Sequence, residues 1–195
     1  MQQNPLSRHL TGAPDTPMPA GWRRALWLGL LVAAGVGFTL VLACAMPFAA
    51  LGTVAALTLP RREGLLLTGA TWLANQIVGF VVLHYPWTAD TLAWGLALGL
   101  VAVLTTLSAQ ALTRRLDGHG VIVAALAGFT VAFVVYEGAL FLIAATLLGG
   151  TEDFMPSIVG YIFEINLAAC AGLLLLSGLA RIIAPAVAPP LLRPV

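Results

Sequence analysis

The stretch from Gly64 to Asp90, GLLLTGATWLANQIVGFVVLHYPWTAD, decides how the rest of the chain is read. It follows a basic corner at Arg61 and Arg62 and runs apolar from Leu65 to Leu83. Asn75 and Gln76 sit inside that run, which ends in the aromatic loop His84-Tyr85-Pro86-Trp87-Thr88-Ala89-Asp90. Nearly twenty apolar residues between a basic corner and an aromatic loop read as a membrane span. The two amides within it must find partners or serve a ligand, because each unsatisfied polar group in hydrocarbon costs several kcal/mol.

Composition extends this reading to the whole chain. Of 195 residues, 60% are hydrophobic and only 9% charged, and the mean hydropathy is +0.98. This describes an all-α, polytopic membrane protein. The nine basic residues are all Arg and eight acids nearly cancel them, so a net charge of +1 gives no basis for a nucleic-acid partner. There is no GxxxxGK[ST] run and no grouping of Ser, His and acid as a triad, which argues against ATP hydrolysis and against hydrolytic chemistry by this chain. Cys44 and Cys170 lie in apolar runs, where buried thiols are expected rather than a disulfide framework or a zinc site. Arg23 and Arg24 followed by an apolar run ending Leu-Val-Leu-Ala-Cys resemble an export signal. The chain beyond Cys44 stays apolar, however, so the run is read as an uncleaved first span.

The arginines set the topology. Arg23-Arg24, Arg61-Arg62, Arg114-Arg115 and Arg181 flank apolar runs, and the positive-inside rule puts all of them in the cytoplasm. Six spans satisfy this, with both termini cytoplasmic. They are Ala25 to about Ala43, Pro47 to Leu59, Gly64 to Leu83, Thr91 to Leu112, Gly120 to Leu148 and Pro156 to Ala180. The second is anomalous: its 13 residues reach only about 20 Å as a helix, short of the ~30 Å hydrocarbon core, so it is read as part of a tight, tilted or re-entrant hairpin. Residues 1–21 form a disordered cytoplasmic tail, 22–182 the six-helix membrane domain and 183–195 a Pro-rich cytoplasmic tail. Small residues four apart, Gly29, Ala33 and Gly37 in the first span and Gly95 and Gly99 in the fourth, serve close helix packing, either within the bundle or toward another membrane subunit.

Helical rise places the polar residues of the spans in one layer of the outer half of the membrane. Asn75 and Gln76 lie roughly 13 Å deep, Glu137 roughly 16 Å and Glu164 roughly 12 Å, with Asn166 slightly deeper. No base is available at that depth to pair with the acids, which therefore bond to amides or to Tyr136, or face water or a ligand. The candidate small-molecule site comprises Asn75, Gln76, Glu137, Glu164 and Asn166 under a lid carrying His84, Tyr85 and Trp87, with a purely structural polar network as the alternative. Tyr85, Trp87 and Trp94 also suit an interfacial aromatic belt. Cys44, His84 and Asp90 are weak candidates for a metal, since no spaced His pair accompanies them.

The passage CAMPFAALGTVAALTLPRREG, a loop followed by a short helix that ends in a basic corner, is similar in layout to a stretch of known transporters. Together with six spans in under 200 residues, the small-residue face of the first span and the polar layer below the outer loops, it resembles the S-component, the substrate-binding membrane subunit of energy-coupling-factor vitamin transporters, notably the biotin and cobalamin members. The resemblance implies a multi-pass inner-membrane protein that takes up a vitamin such as cobalamin or a precursor from outside. It further implies no cofactor, and docking of Gly29, Ala33 and Gly37 on a transmembrane coupling subunit that carries two ATPases. Two other classes remain open. One is a non-transporting accessory or assembly subunit of a membrane complex, and the other a cobalt or nickel permease using His84, Asp90, Glu137 and Glu164.

Overall fold

The computed structural model describes residues 20–41 and 46–183. Cys44 lies outside them, as do residues 1–19 and 184–195 of the two expected tails. Among the described residues every regular element is helical. The order is α1 (Ala20–Val41), α2 (Phe48–Thr58), α3 (Arg61–Ile77, continued by a π-helical turn Val78–Val82), α4 (Ala89–Arg115), α5 (Val121–Ile143, continued by a π turn Ala144–Leu148), a 3-10 turn Thr151–Phe154, and α6 (Pro156–Ile183).

Four of these are long and apolar enough to cross a membrane: Arg61–Val82, Ala89–Arg115, Val121–Leu148 and Pro156–Leu179. Two apolar helical stretches, Arg24–Gly37 and Phe48–Thr58, are shorter. The fold thus carries the membrane signature on four helices.

The short helix α2 is the centre of the molecule. All eleven of its residues are buried, and it packs against α3, α4, α5 and α6. Pro47 precedes it, where a missing N–H costs nothing. At the other end Leu59 is extended and Pro60 prevents continuation. Eleven residues give about 16 Å of helix, half of a ~30 Å hydrocarbon core. Its sequence FAALGTVAALT is dominated by small side chains, which lets four neighbours approach its backbone. Its two threonines satisfy themselves within the helix: Thr53 Oγ1 donates to the Ala49 carbonyl (2.7 Å) and Thr58 Oγ1 to that of Val54 (2.6 Å).

Cross-helix pairs give the directions of the other elements. Trp72 Nε1 donates to the Gly95 carbonyl at 2.8 Å, the hydroxyls of Thr68 and Thr106 are 2.7 Å apart, and Gly64 faces Gln110, so α3 and α4 run antiparallel. Helix α1 runs alongside α3 in the same direction, tied by Arg24 Nε to Glu63 Oε1 at 2.7 Å and by Gly35 against Thr71. Arg24, Arg61, Arg62, Arg114 and Arg115 therefore gather at one end of the bundle. The opposite end carries His84, Asp90, Glu152 and Asp153, with no Arg among its described residues. Gly118 (φ 92°) and Gly120 (φ 89°) make the turn from α4 to α5, in a backbone region that L side chains rarely adopt.

The glycines separate internal from external packing. A Cβ on Gly95 would meet Gln76 Oε1 at 2.7 Å and one on Gly99 would meet Trp72 at 2.7 Å, so the small pair of α4 serves packing within the bundle. Gly29 and Ala33 of α1 are exposed, and nothing lies within 4 Å of a Cβ placed on Gly29 or Gly37.

The α2–α4 contact is tight: a Cβ on Gly52 would lie 3.3 Å from Thr106 Cα, whereas one on Gly69 would meet nothing. Gly52→Leu should lower stability by about 1–3 kcal/mol through overpacking, against less than about 1 kcal/mol for Gly69→Leu. Unfolding of the detergent-solubilised protein by denaturant titration measures both, and equal effects would mean that α2 is not held at van der Waals distance from α4.

Candidate functional site

Because α2 fills only part of the space between the longer helices, the end of the bundle away from the arginines has a cavity of about 300 Å³ above its N-terminus. Met46, just before Pro47, is part of the wall. The α3 side contributes Asn75, Gln76, Gly79, Phe80 and Leu83, and the α4 side Asp90, Thr91, Trp94, Gly95 and Leu98. Tyr136 of α5 and Tyr85 of the loop complete it.

Each polar group is placed for a local reason. Asn75 Nδ2 donates to Met46 Sδ at 2.9 Å, joining α3 to the chain that enters α2. Gln76 occupies the space that Gly95 leaves by lacking a side chain. Trp72, one turn before Gln76, holds the Gly95 carbonyl and so fixes α3 against α4 at the depth of the cavity. Thr88 caps α4, its hydroxyl accepting from Thr91 N–H at 3.2 Å and lying 2.9 Å from the Thr91 hydroxyl. That cap sets Asp90 in the first turn of α4, where the helix dipole favours a negative charge. Tyr136 is 5% exposed and lines the cavity, and its hydroxyl makes no hydrogen bond among the described residues.

The outer lip is aromatic. The π turn Val78–Val82 brings α3 to an end, and His84 (φ 56°) reverses the chain. Tyr85 N–H then donates to the Gly79 carbonyl at 3.0 Å, and the Tyr85 ring lies where a Cβ on Gly79 would be, 2.8 Å away. Phe80 meets Tyr85 edge-on (6.3 Å, 76°) and Trp87 at 4.5 Å. A glycine at position 79 is what allows Tyr85 to fold back over the cavity.

Of the residues expected at the site, the cavity brings together Asn75, Gln76 and Tyr85, with Asp90 beside them. His84 and Trp87 belong to the loop but not to the cavity wall, and Trp87 is 75% exposed. Glu137 is buried next to Tyr136 yet does not line the cavity, and its Oε1 has no hydrogen-bond partner among the described residues. Asn166 is fully buried elsewhere: its Oδ1 accepts the Ala50 N–H of α2 at 3.3 Å and its Nδ2 donates to the Ile162 carbonyl at 3.0 Å. Glu164 is exposed on the outside of α6. Several wall residues escaped the sequence reading as site members, Met46, Trp94 and Tyr136 among them. Trp94 suited an interfacial belt, and Tyr136 only a hydrogen-bond partner for acids, since nothing in its local pattern marks which way it points.

No group of three or more His, Cys, Asp or Glu able to hold a metal ion occurs among the described residues. The cavity offers amides, hydroxyls, one carboxylate and aromatic side chains, a lining of the kind found in small-molecule pockets. No protein-family model, no curated protein and no solved structure matches the chain.

Proposed function

We propose that this chain is a membrane-embedded binding component that captures a small molecule from the side away from its arginine-rich end and serves its uptake. The single observation that carries the reading is the cavity of about 300 Å³, walled by Asn75, Gln76, Tyr85, Asp90, Trp94 and Tyr136. Ligand pockets are concave, largely apolar and furnished with a few convergent polar groups, and this cavity has that make-up. Its volume lies at the low end of ligand pockets, which favours a vitamin-sized ring system over a whole corrinoid.

In this reading the arginine end is cytoplasmic by the positive-inside rule, both termini lie there, and the protein resides in a cell inner membrane with six helical passes, the second a half-length one. The layout then resembles an S-component. The exposed small-residue face of α1, at Gly29 and Ala33, would be the docking strip for a coupling subunit with ATPases, since the chain has no nucleotide motif of its own.

A second reading has one observation in its favour. Glu164 presents a carboxylate on the outside of a membrane-length helix, where a charge is costly unless another chain meets it. That fits an accessory subunit of a membrane complex.

Thermal unfolding of the detergent-purified protein against vitamins, corrinoids and divalent metals separates the readings. A ligand at a hundred times its dissociation constant adds about 2.7 kcal/mol of stability. A shift with one small vitamin, and none with corrinoids or metals, is expected. Its size should fall in Asn75→Ala and Gln76→Ala, each by about 1–3 kcal/mol of binding free energy, while Glu164→Gln leaves it unchanged. No shift with any compound, together with a co-purifying protein lost in Glu164→Gln, would transfer the case to the accessory subunit.

A further inference from the structure

The geometry points to a small organic cation as the ligand of this cavity, a flat or quaternary ammonium head held among aromatic faces. The inference rests on the binding-component reading and adds the sign of the ligand's charge. The cavity wall contains one ionisable side chain of fixed sign, the carboxylate of Asp90, and no Arg, Lys or His. Acidic side chains also follow in the neighbouring turn. A Cβ on Gly150 would lie 3.8 Å from Trp94 Cζ2 and 3.9 Å from Asp153 Oδ2, so the glycine that leads into the acidic turn Thr151–Phe154 touches the indole that walls the cavity, with Asp153 on the same glycine. All described arginines are at the far end of the bundle, and a low-dielectric mouth lined by one sign concentrates counter-ions of the other.

The aromatic groups supply the second half of the argument. Tyr85, Trp94, Tyr136 and Phe80 approach the cavity from four segments of the chain, and indole and phenol faces attract ammonium groups by their quadrupoles. Tyr136 is 95% buried (5% exposed) and its hydroxyl is unpartnered among the described residues, which leaves it available to a polar substituent of the ligand.

An anion would need donors that the floor lacks. The N-terminus of α2 lies there, and a helix N-terminus favours negative charge, but the N–H groups of Phe48, Ala50 and Leu51 are committed. Pro47 has none, Phe48 donates to the Met46 carbonyl, Ala50 to Asn166 Oδ1 and Leu51 to the Pro47 carbonyl.

The test uses the full-length protein in detergent, with choline, benzyltrimethylammonium, the neutral alcohol in which carbon replaces the choline nitrogen, and phenylacetate as probes, read by thermal shift and titration calorimetry. The expected result is that at least one ammonium probe binds roughly tenfold or more tightly than the neutral alcohol and phenylacetate does not bind. Trp94→Leu and Asp90→Asn should each weaken the ammonium probe by roughly three- to thirtyfold. Binding of the neutral alcohol as tight as that of choline, or phenylacetate binding that tightens in Asp90→Asn, overturns the cation inference and leaves the binding-component reading in place. Failure of every ammonium probe while a neutral or anionic vitamin binds has the same meaning. Absence of binding by all probes and all vitamins removes both.

Discussion

A short helix that begins inside an apolar bundle buries its first N–H groups away from water, and the rest of this fold depends on how that is answered at α2. Pro47 removes one donor, Met46 folds its carbonyl onto Phe48, and the side chain of Asn166 from α6 accepts from Ala50. The amide of Asn166 is itself fixed by donating to its own helix at Ile162. An unsatisfied N–H at this depth would cost several kcal/mol, so one buried amide both anchors α6 to the centre and permits a half-length helix to exist there.

The cavity follows from that half length. The inner half of the bundle is filled by α2, whose alanines and glycine let α4 come within van der Waals distance at Gly52. The outer half has no such filler, and its walls are polar and aromatic. The amides that line it are tied at their backs: Asn75 to Met46, and Gln76 into the gap at Gly95, beside which Trp72 holds the backbone. Side chains so restrained lose little freedom when a ligand arrives, which is the physical content of a preformed site.

The extents of the long apolar helices were legible in the sequence and azimuth was not. The apolar run Gly64 to Leu83 corresponds to α3 and its π turn ending at Val82, and the run Thr91 to Leu112 lies within Ala89–Arg115. Pro47 and Pro60 delimit the short segment that was too short to span, but its place at the centre could not be read, because a helix buried among helices and one facing lipid are equally apolar. Glu164 and Asn166 make the same point at the site. Their depths differ by two residues of rise, yet two residues turn a helix by about 200°, and one side chain is exposed while the other is fully buried. Asn75 and Gln76 were identifiable as polar intrusions in an apolar run. Tyr136 was not, since an amphipathic aromatic is equally at home in core, interface or cavity.

The two halves of the bundle differ in how readily they can move. The lip is built from a π turn, a left-handed His84, and a loop whose residues are exposed throughout, with Trp87 resting on Phe80. Segments with few buried contacts and irregular backbone bonding open at low free energy, so a shift of the loop alone would widen the mouth of the cavity. Passage inward is another matter. Below the cavity stand α2 and its close contact with α4, with Thr68 bonded to Thr106 alongside. Anything lodged above α2 would reach the arginine end only if the whole bundle reoriented or its helices separated.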